Sequence, residues 1–407
     1  MLDIVLLIGI AIIVGYTAGL ACKKINQPQV VGWLLGGVFL GSSGIELFDV
    51  ALLDTLEPIT FIVLSLIGFD IGGELKFSML KRLGKSIALI SIFEALGAFI
   101  LVTAAVTLLT GELWIGLIFG GISIATAPAA TTDVLREYRS SGPLTSTVFA
   151  VVGIDDVIAI IIYALAAGFA VELLVGGSVS IGGMLIEPFK EIFGALLLGG
   201  IIGILYAYVS KFANAKMENL LLSFGTILII CGLARELGFS YILASMATGI
   251  VFVNLPFSNK NSFKLVSDAK PPLYILFFIF VGARLQVDLL LQIGSIGVLY
   301  VIFRTAGKGI GSFLGAKMSG KLGYLDEKSR EPIEKYFWLC LFSQAGVAIG
   351  LAIEAMHTFS GIGGAGPEFG NKVITIITGT TLFLNIIGPP SVRQAVFRAG
   401  EVRREEE

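Results

Sequence analysis

The chain has 407 residues, of which 56% are hydrophobic and only 14% charged, and its formal net charge is −2. Soluble domains carry about 25% charged residues, whereas this chain has a mean hydropathy of +0.92. This composition excludes a water-soluble globular protein, and the lack of a long basic block excludes a nucleic-acid partner. Three widely separated cysteines and a single histidine offer no zinc spacing or disulfide framework, so we expect no cofactor. The sequence predicts an integral membrane protein.

Apolar segments follow one another along the whole chain, each close to the length of about 20 residues that crosses a bilayer. Charges, prolines and glycines divide them into thirteen, at 2–22, 28–42, 52–71, 86–110, 113–138, 143–172, 188–210, 218–234, 240–255, 270–284, 289–318, 333–357 and 371–392. We therefore expect an all-α polytopic membrane protein with about thirteen transmembrane helices. Basic residues follow the first segment instead of preceding it, which indicates a membrane helix and not a signal peptide.

The distribution of basic residues between the predicted segments gives an orientation. With thirteen crossings, 22 of the 28 Lys and Arg residues fall in connections on one side and 4 on the other. The basic side is cytoplasmic by the positive-inside rule. The N-terminus is therefore predicted outside and the C-terminus in the cytoplasm, in a multi-pass protein of the cell membrane.

Two adjacent carboxylates, Asp155 and Asp156, lie in the middle of the sixth segment. A charge at the bilayer centre costs about 2.5–3.5 kcal/mol, so each such residue is a candidate for function. Neighbours on a helix point about 100° apart, so one carboxylate can face a cation path while the other meets a partner. Carboxylates in this setting can exchange a proton for a metal cation. The alternative is a structural ion pair with Lys308.

Arg304 and Lys308 lie on one face of the eleventh segment, because residues four apart on a helix are neighbours. Both need counter-ions. Asp155 or Asp156 suits Lys308, and Glu94 in the fourth segment suits Arg304. Arginine keeps its charge, whereas a buried lysine can lose its proton. We therefore predict a structural Arg304–Glu94 pair and a chemical role for Lys308 as charge partner or proton carrier.

The fifth segment contains Pro128, which cannot continue a helix and which leaves backbone groups unpaired. Around it lie Ser123, Thr126 and Thr131, whose oxygens are suitable ligands for a hard cation. An ordinary proline kink is the alternative. The twelfth segment also contains a polar, glycine-containing stretch, at 343–346. The two sets of three segments around these breaks have opposite predicted topologies, which is typical of the inverted repeats of secondary transporters.

Three motifs together resemble the monovalent cation:proton antiporter-2 family, the sodium/proton and potassium/proton exchangers: the broken helix at 125–128, the aspartate pair at 153–156, and Arg304 with Lys308. The resemblance implies a six-helix core with two crossing broken helices, inverted repeats and a panel that forms a homodimer. The implied division is 1–85 (panel helices 1–3), 86–175 (core helices 4–6, broken near 125–131), 176–212 (linker helix 7), 213–288 (panel helices 8–10), 289–400 (core helices 11–13) and 401–407 (short cytoplasmic tail).

The same resemblance implies roles for single residues. Asp156 matches the aspartate that binds Na⁺ and protons, Asp155 the neighbour that pairs with Lys308, and Thr126 the polar residue at the helix crossing. Two aspartates with a lysine resemble the electrogenic branch, since electroneutral relatives usually carry Asn before the second aspartate. Many relatives append a cytoplasmic nucleotide-binding domain, and this sequence is expected to lack one.

The function predicted from these residues is exchange of Na⁺ or Li⁺ for H⁺ by alternating access, with lipid, cations and protons as partners. A K⁺/H⁺ antiporter of the same family is the first alternative, and a sodium-coupled solute symporter is the second. An intramembrane aspartyl protease needs two aspartates that face each other from different helices, so an enzyme is not expected. A channel is disfavoured, because one dominant carboxylate site fits alternating access better than multi-ion conduction.

Overall fold

The computed structural model describes residues 3–25, 27–175, 181–213, 215–256, 261–288, 294–362 and 366–402. Within these ranges the chain is helical and contains no β-strand. The helices are α1 (Ile4–Lys24), α2 (Gln29–Leu40), α3 (Val50–Thr55), α4 (Glu57–Glu74), α5 (Phe77–Thr110), α6 (Leu113–Ser123), α7 (Pro128–Glu137), α8 (Pro143–Val175), α9 (Ile181–Val209), α10 (Lys216–Glu236), α11 (Tyr241–Asn254), α12 (Asn261–Ala269), α13 (Pro271–Arg284), α14 (Gly294–Lys321), α15 (Glu327–Tyr336), a 3₁₀-helix (Phe337–Leu341), α16 (Gly346–Ser360) and α17 (Gly366–Ala399).

Six of the described helices are long and apolar enough to cross a membrane, or eight if two bent helix pairs are each one span. The bent pairs are α12 with α13, at 51°, and α15 plus the 3₁₀-helix with α16, at 52°. Helices satisfy their own backbone hydrogen bonds, which is what lipid requires of a spanning segment. Within the described residues, each of the thirteen predicted segments overlaps a helix or a broken pair of helices. Thirteen crossings as such stay a prediction.

The described helices group into two compact units. The first comprises Met1–Ala21, Gly32–Leu80 and Ser178–Leu285, and the second comprises Cys22–Val31, Lys81–Gly177 and Gln286–Glu407. In the first unit, α11 packs against both α4 and α9. The hydroxyl of Thr248 on α11 donates to the carbonyl of Gly199 on α9, at 3.1 Å. Helix α9, predicted as a linker, thus packs inside the first unit.

The second unit contains two interrupted helices. The first interruption separates α6 from α7 at residues 124–127, because Pro128 has no amide hydrogen and begins a new helix there. The second separates the 3₁₀-helix from α16 at residues 342–345, in the predicted polar stretch. The amide of Ala127 donates to the carbonyl of Ser343 at 2.9 Å. The two predicted breaks are therefore present, and they are joined directly by a backbone hydrogen bond.

The predicted tail at 401–407 is described only at its first two residues, and the others lie outside the described ranges. Helix α17 ends at Ala399, and Gly400 follows with a φ of 70°. Glu401 is 7% exposed. The Glu401 carboxylate accepts hydrogen bonds from the amides of Leu144 and Thr145 within the second unit. The cytoplasmic position of the tail stays a prediction.

Candidate functional site

Arg304 joins both interrupted helices. It lies on α14, is fully buried, and donates hydrogen bonds only to backbone carbonyls of residues at the two breaks. These carbonyls belong to Ser123 at 3.0 Å, Ala125 at 2.8 Å, Leu341 at 3.2 Å and Phe342 at 3.1 Å. A helix that stops inside the protein leaves its last carbonyls without helical partners. The guanidinium supplies those partners, and its planar fork allows one side chain to reach both breaks.

A second, uncharged group of side chains binds the same breaks. The Gln344 side-chain amide donates to the carbonyl of Ile122 at 3.0 Å and to the Tyr300 hydroxyl at 2.8 Å. The side chain of Asn385 on α17 donates to the Gln344 carbonyl at 2.6 Å. All three polar side chains are buried. The sequence predicted the polar stretch that contains Gln344, but not Tyr300 or Asn385. Asn385 could have been recognised as an amide side chain inside an apolar segment.

Glycines fix the axial position of α14 relative to α5. A Cβ on Gly307 would meet the backbone of Gly97 and Ala98, and a Cβ on Gly311 would meet the backbone of Phe93. The helices therefore touch backbone to backbone, a close approach that small residues at spacing four allow between membrane helices. Lys308 lies next to this contact, and so it is brought level with Glu94, one turn from Gly97.

Lys308 forms an ion pair with two carboxylates. Its Nζ is 2.7 Å from Glu94 Oε2 and 2.9 Å from Asp155 Oδ2, and all three side chains are at most 2% exposed. Asp155 Oδ2 also accepts a hydrogen bond from the Thr126 hydroxyl, at the first break. The predicted Glu94–Arg304 pair is therefore wrong: Glu94 binds Lys308. The physical reason is that Arg304, one turn away, is level with the breaks and binds their carbonyls.

The other predicted ligands have different surroundings. Asp156 is 3% exposed and lies beside Asp155 on α8. The Ser123 hydroxyl donates to the Gly120 carbonyl in its own helix at 2.7 Å, and the Thr131 hydroxyl donates to the Cys340 carbonyl at 3.2 Å. Of the three predicted hydroxyls, only that of Thr126 is bonded to an aspartate. Cation binding by Asp156, Ser123 and Thr131 stays a prediction.

The buried charges form an ionic centre. It combines three carboxylates (Glu94, Asp155 and Asp156) with two bases (Arg304 and Lys308), all buried. With all five ionised the centre carries one net negative charge. No group of three His, Cys, Asp or Glu with the geometry of a resident metal site occurs among the described residues. The fold and this centre define a class: a multi-pass α-helical membrane protein with titratable groups at the crossing of two broken helices.

Comparison with known proteins gives the family. The family model described as "Sodium/hydrogen exchanger, transmembrane" matches residues 8–398, and the chain belongs to this family of monovalent cation:proton antiporters. The resemblance found from the sequence motifs is thereby confirmed at that level.

Individual relatives are distant. The chain is 23% identical to the "Ammonium/H(+) antiporter subunit AmhT" of Alkalihalophilus pseudofirmus over 77% of this chain and 78% of that protein. It is 23% identical to the "High-affinity Na(+)/H(+) antiporter NhaS3" of Synechocystis over 67% of this chain and 66% of that protein. It shares the fold of the sodium proton antiporter MjNhaP1 from Methanocaldococcus jannaschii, with a TM-score of 0.76, 19% identity, and coverage of 97% and 98% of the two chains.

Proposed function

We propose that the protein exchanges Na⁺ or Li⁺ for H⁺ across the membrane, with Asp156 and Asp155 as the binding carboxylates. The observation that carries this proposal is the position of Lys308, bonded at once to Asp155 and Glu94 beside the crossing of the broken helices. A buried lysine next to a binding carboxylate provides a positive charge that competes with an incoming cation. This competition suits exchange of a cation for a proton, whereas a sodium-coupled symporter does not require it.

Charge balance supports competition at one site. The buried centre has one net negative charge when its three carboxylates and two bases are ionised. Either one monovalent cation or one proton neutralises it, and both together leave an uncompensated positive charge in a low-dielectric region. Asp156 thus binds a cation or a proton in turn. Its neighbour Asp155 is bonded to Lys308 and Thr126, and in this proposal an incoming cation competes with them for that carboxylate.

We propose that the exchange is electrogenic. Cation entry displaces Lys308 from Asp155, and Lys308 then releases its proton, so that two protons move against one cation. In this scheme the proton-loaded centre is neutral, and the cation-loaded centre carries one net negative charge. The alternative is electroneutral exchange. If Lys308 stays paired with Glu94 and keeps its proton, one proton moves per cation and no net charge crosses the membrane. The two outcomes differ in current, which responds to membrane potential at about 2.3 kcal/mol per charge per 100 mV.

The transport cycle and assembly follow the family pattern in this proposal. The second unit carries the ionic centre and moves as the core, and the first unit acts as the panel of a homodimer in the cell membrane. Thirteen crossings related by inverted repeats place the N-terminus outside and Lys328 in the cytoplasm. The test is a Lys328→Cys variant treated with an impermeant thiol reagent outside intact cells. This topology predicts no labelling, and labelling would contradict it.

The experiment that tests exchange uses purified protein in liposomes with a trapped pH dye. Addition of Na⁺ or Li⁺ should release protons from wild type and not from Asp156→Asn, whose amide cannot titrate. A response to K⁺ alone favours the potassium/proton alternative. Because AmhT is called an ammonium antiporter, ammonium is tested separately, as a competitor of radioactive Na⁺ uptake. Wild type without any cation-dependent proton flux rejects the proposal.

The current on a solid-supported membrane under a Na⁺ gradient tests the proton count. A transient current from actively exchanging wild type supports two protons per cation. Active exchange with no current rejects two protons per cation. It supports the alternative in which Lys308 stays paired with Glu94 throughout the cycle. Apparent Na⁺ affinity must also fall as the pH is lowered; an affinity unchanged between about pH 6 and pH 8 contradicts competition.

A further inference from the structure

The helix with the two adjacent aspartates, α8, is capped by a residue from the other end of the chain. It begins at Pro143, and the preceding residue, Gly142, has no side chain with which to accept the first amides. The amides of Leu144 and Thr145 donate instead to the two carboxylate oxygens of Glu401, at 2.8 and 2.7 Å. The Thr145 hydroxyl donates to the same carboxylate at 2.7 Å. A carboxylate at this place satisfies free amides and complements the positive end of the helix dipole.

Glu401 is held in this position by its own backbone. Gly400 has a φ of 70°, which suits glycine, and the Glu401 amide then donates to the Val396 carbonyl at 3.0 Å, as in a Schellman helix end. The Glu401 carbonyl accepts from the Ser141 amide at 2.9 Å. A Cβ on Gly142 would overlap the Glu401 carboxylate. Close approach from both sides makes this a built contact rather than a chance position of a surface side chain.

The contact joins two helices that both reach the ionic centre. Helix α17, which ends just before Glu401, binds the second break through Asn385 and the Gln344 carbonyl. Near its end, the Phe397 ring packs on the Tyr138 ring with centroids 5.4 Å apart. Helix α8 starts at the Glu401 carboxylate and carries the aspartates further along. Any shift of α8 along its axis relative to α17 therefore breaks the Glu401 hydrogen bonds.

We propose that Glu401 is a positioning residue for cation exchange: it caps α8 from the end of α17 and makes the two helices move as one body. The proposal rests on the exchange function proposed above. Glu401 does not touch the cation in this scheme. Its loss lets α8 slide or fray at its start, so that fewer molecules complete the movement of the core, while the carboxylates of the ionic centre are unchanged.

The test compares two shortened chains in the liposome assay, one ending at Val402 and one ending at Gly400. The first keeps Glu401 and serves as the matched control; the second removes it. Glu401→Gln and Glu401→Asp are measured beside them, with Glu331→Gln as a control at an exposed carboxylate. We expect the chain ending at Gly400 and Glu401→Gln to lose at least fivefold in turnover at saturating Na⁺, with less than a twofold change in apparent Na⁺ affinity. Glu401→Asp should restore part of the turnover.

Deuterium uptake of peptides covering residues 141–150 gives an independent readout of the cap. Glu401→Gln should exchange faster there, and Glu331→Gln should not. Turnover within twofold of the chain ending at Val402, or unchanged deuterium uptake, overturns the proposal. A selective loss of Na⁺ affinity with normal turnover also overturns it, because it makes Glu401 part of the binding site. Wild type that exchanges no cation refutes the proposed function instead, and the deuterium readout then decides alone whether Glu401 caps α8.

Discussion

Replacement of Arg304 by leucine tests whether one side chain holds the two interrupted helices together. The substitution removes four hydrogen bonds from a charged donor and leaves four carbonyls unpaired. A hydrogen bond to a charged group contributes about 1.5–3 kcal/mol, and bonds that share one guanidinium are not additive, so we take the lower limit of about 6 kcal/mol. Domains are stable by only about 5–15 kcal/mol. We therefore expect the Arg304→Leu substitution to remove most of the free energy of unfolding of the second unit.

Thermal unfolding in detergent measures this loss, with a fluorescent maleimide that reacts with buried cysteines as they become accessible. Cys340 is fully buried near the second break and reports on that region. For a unit of this size each kcal/mol lowers Tm by about 2–4 °C, so we expect a shift of about 10 °C or more. Arg304→Lys, with three donors and no fork, should lose about half as much. Lys335→Ala, which removes an exposed ion pair with Glu331, should shift Tm little. A Tm of Arg304→Leu within about 2 °C of wild type refutes the reasoning.

Three further predictions concern the ionic centre and the helix contact beside it. Asp156→Asn should fold with wild-type thermal stability and show no exchange in liposomes; normal transport removes Asp156 from the mechanism. Lys308→Gln should lose the Na⁺-driven current, either with remaining electroneutral exchange or with no exchange at all; an unchanged current excludes Lys308 as a proton carrier. Gly307→Ala should lower Tm, because the added Cβ meets the backbone of α5. Gly232→Ala is the control: its Cβ has open space, and the substitution reduces the freedom of the unfolded chain, so it should be neutral or stabilising by up to about 1 kcal/mol. Equal Tm values for the two variants contradict the packing argument.

Hydropathy predicted the helices and their breaks well because lipid imposes strong rules on the backbone. A break inside an apolar segment needs a residue such as Pro128 or a polar, glycine-containing stretch, and both are visible in the sequence. Burial of Asp155 and Lys308 was also predictable, since charged residues in apolar segments are costly and must be paired. The Asp155–Lys308 contact in the structure agrees with the pairing that the family resemblance implied.

The partner of Glu94 could not be predicted from spacing alone. Arg304 and Lys308 lie one turn apart on the same face of α14, and either can meet a carboxylate on α5. The choice depends on the axial offset between the two helices, which is fixed by backbone contacts at Gly97 and Gly307. Uncharged Tyr300 carries no comparable transfer cost and therefore gave no signal. Glu401 was missed because a charged residue near the chain end is normally solvated.

The arginine at the helix crossing has a consequence for the empty carrier. Carbonyl oxygens that converge on one place repel one another unless a positive charge lies between them, because each oxygen is the negative end of a dipole. Here the carbonyls at both breaks face Arg304, a cation that is covalently attached and never departs. In the exchange cycle proposed above, the cation can therefore dissociate without opening the crossing. The cation-loaded and proton-loaded forms then share the same crossing, held by the same four hydrogen bonds.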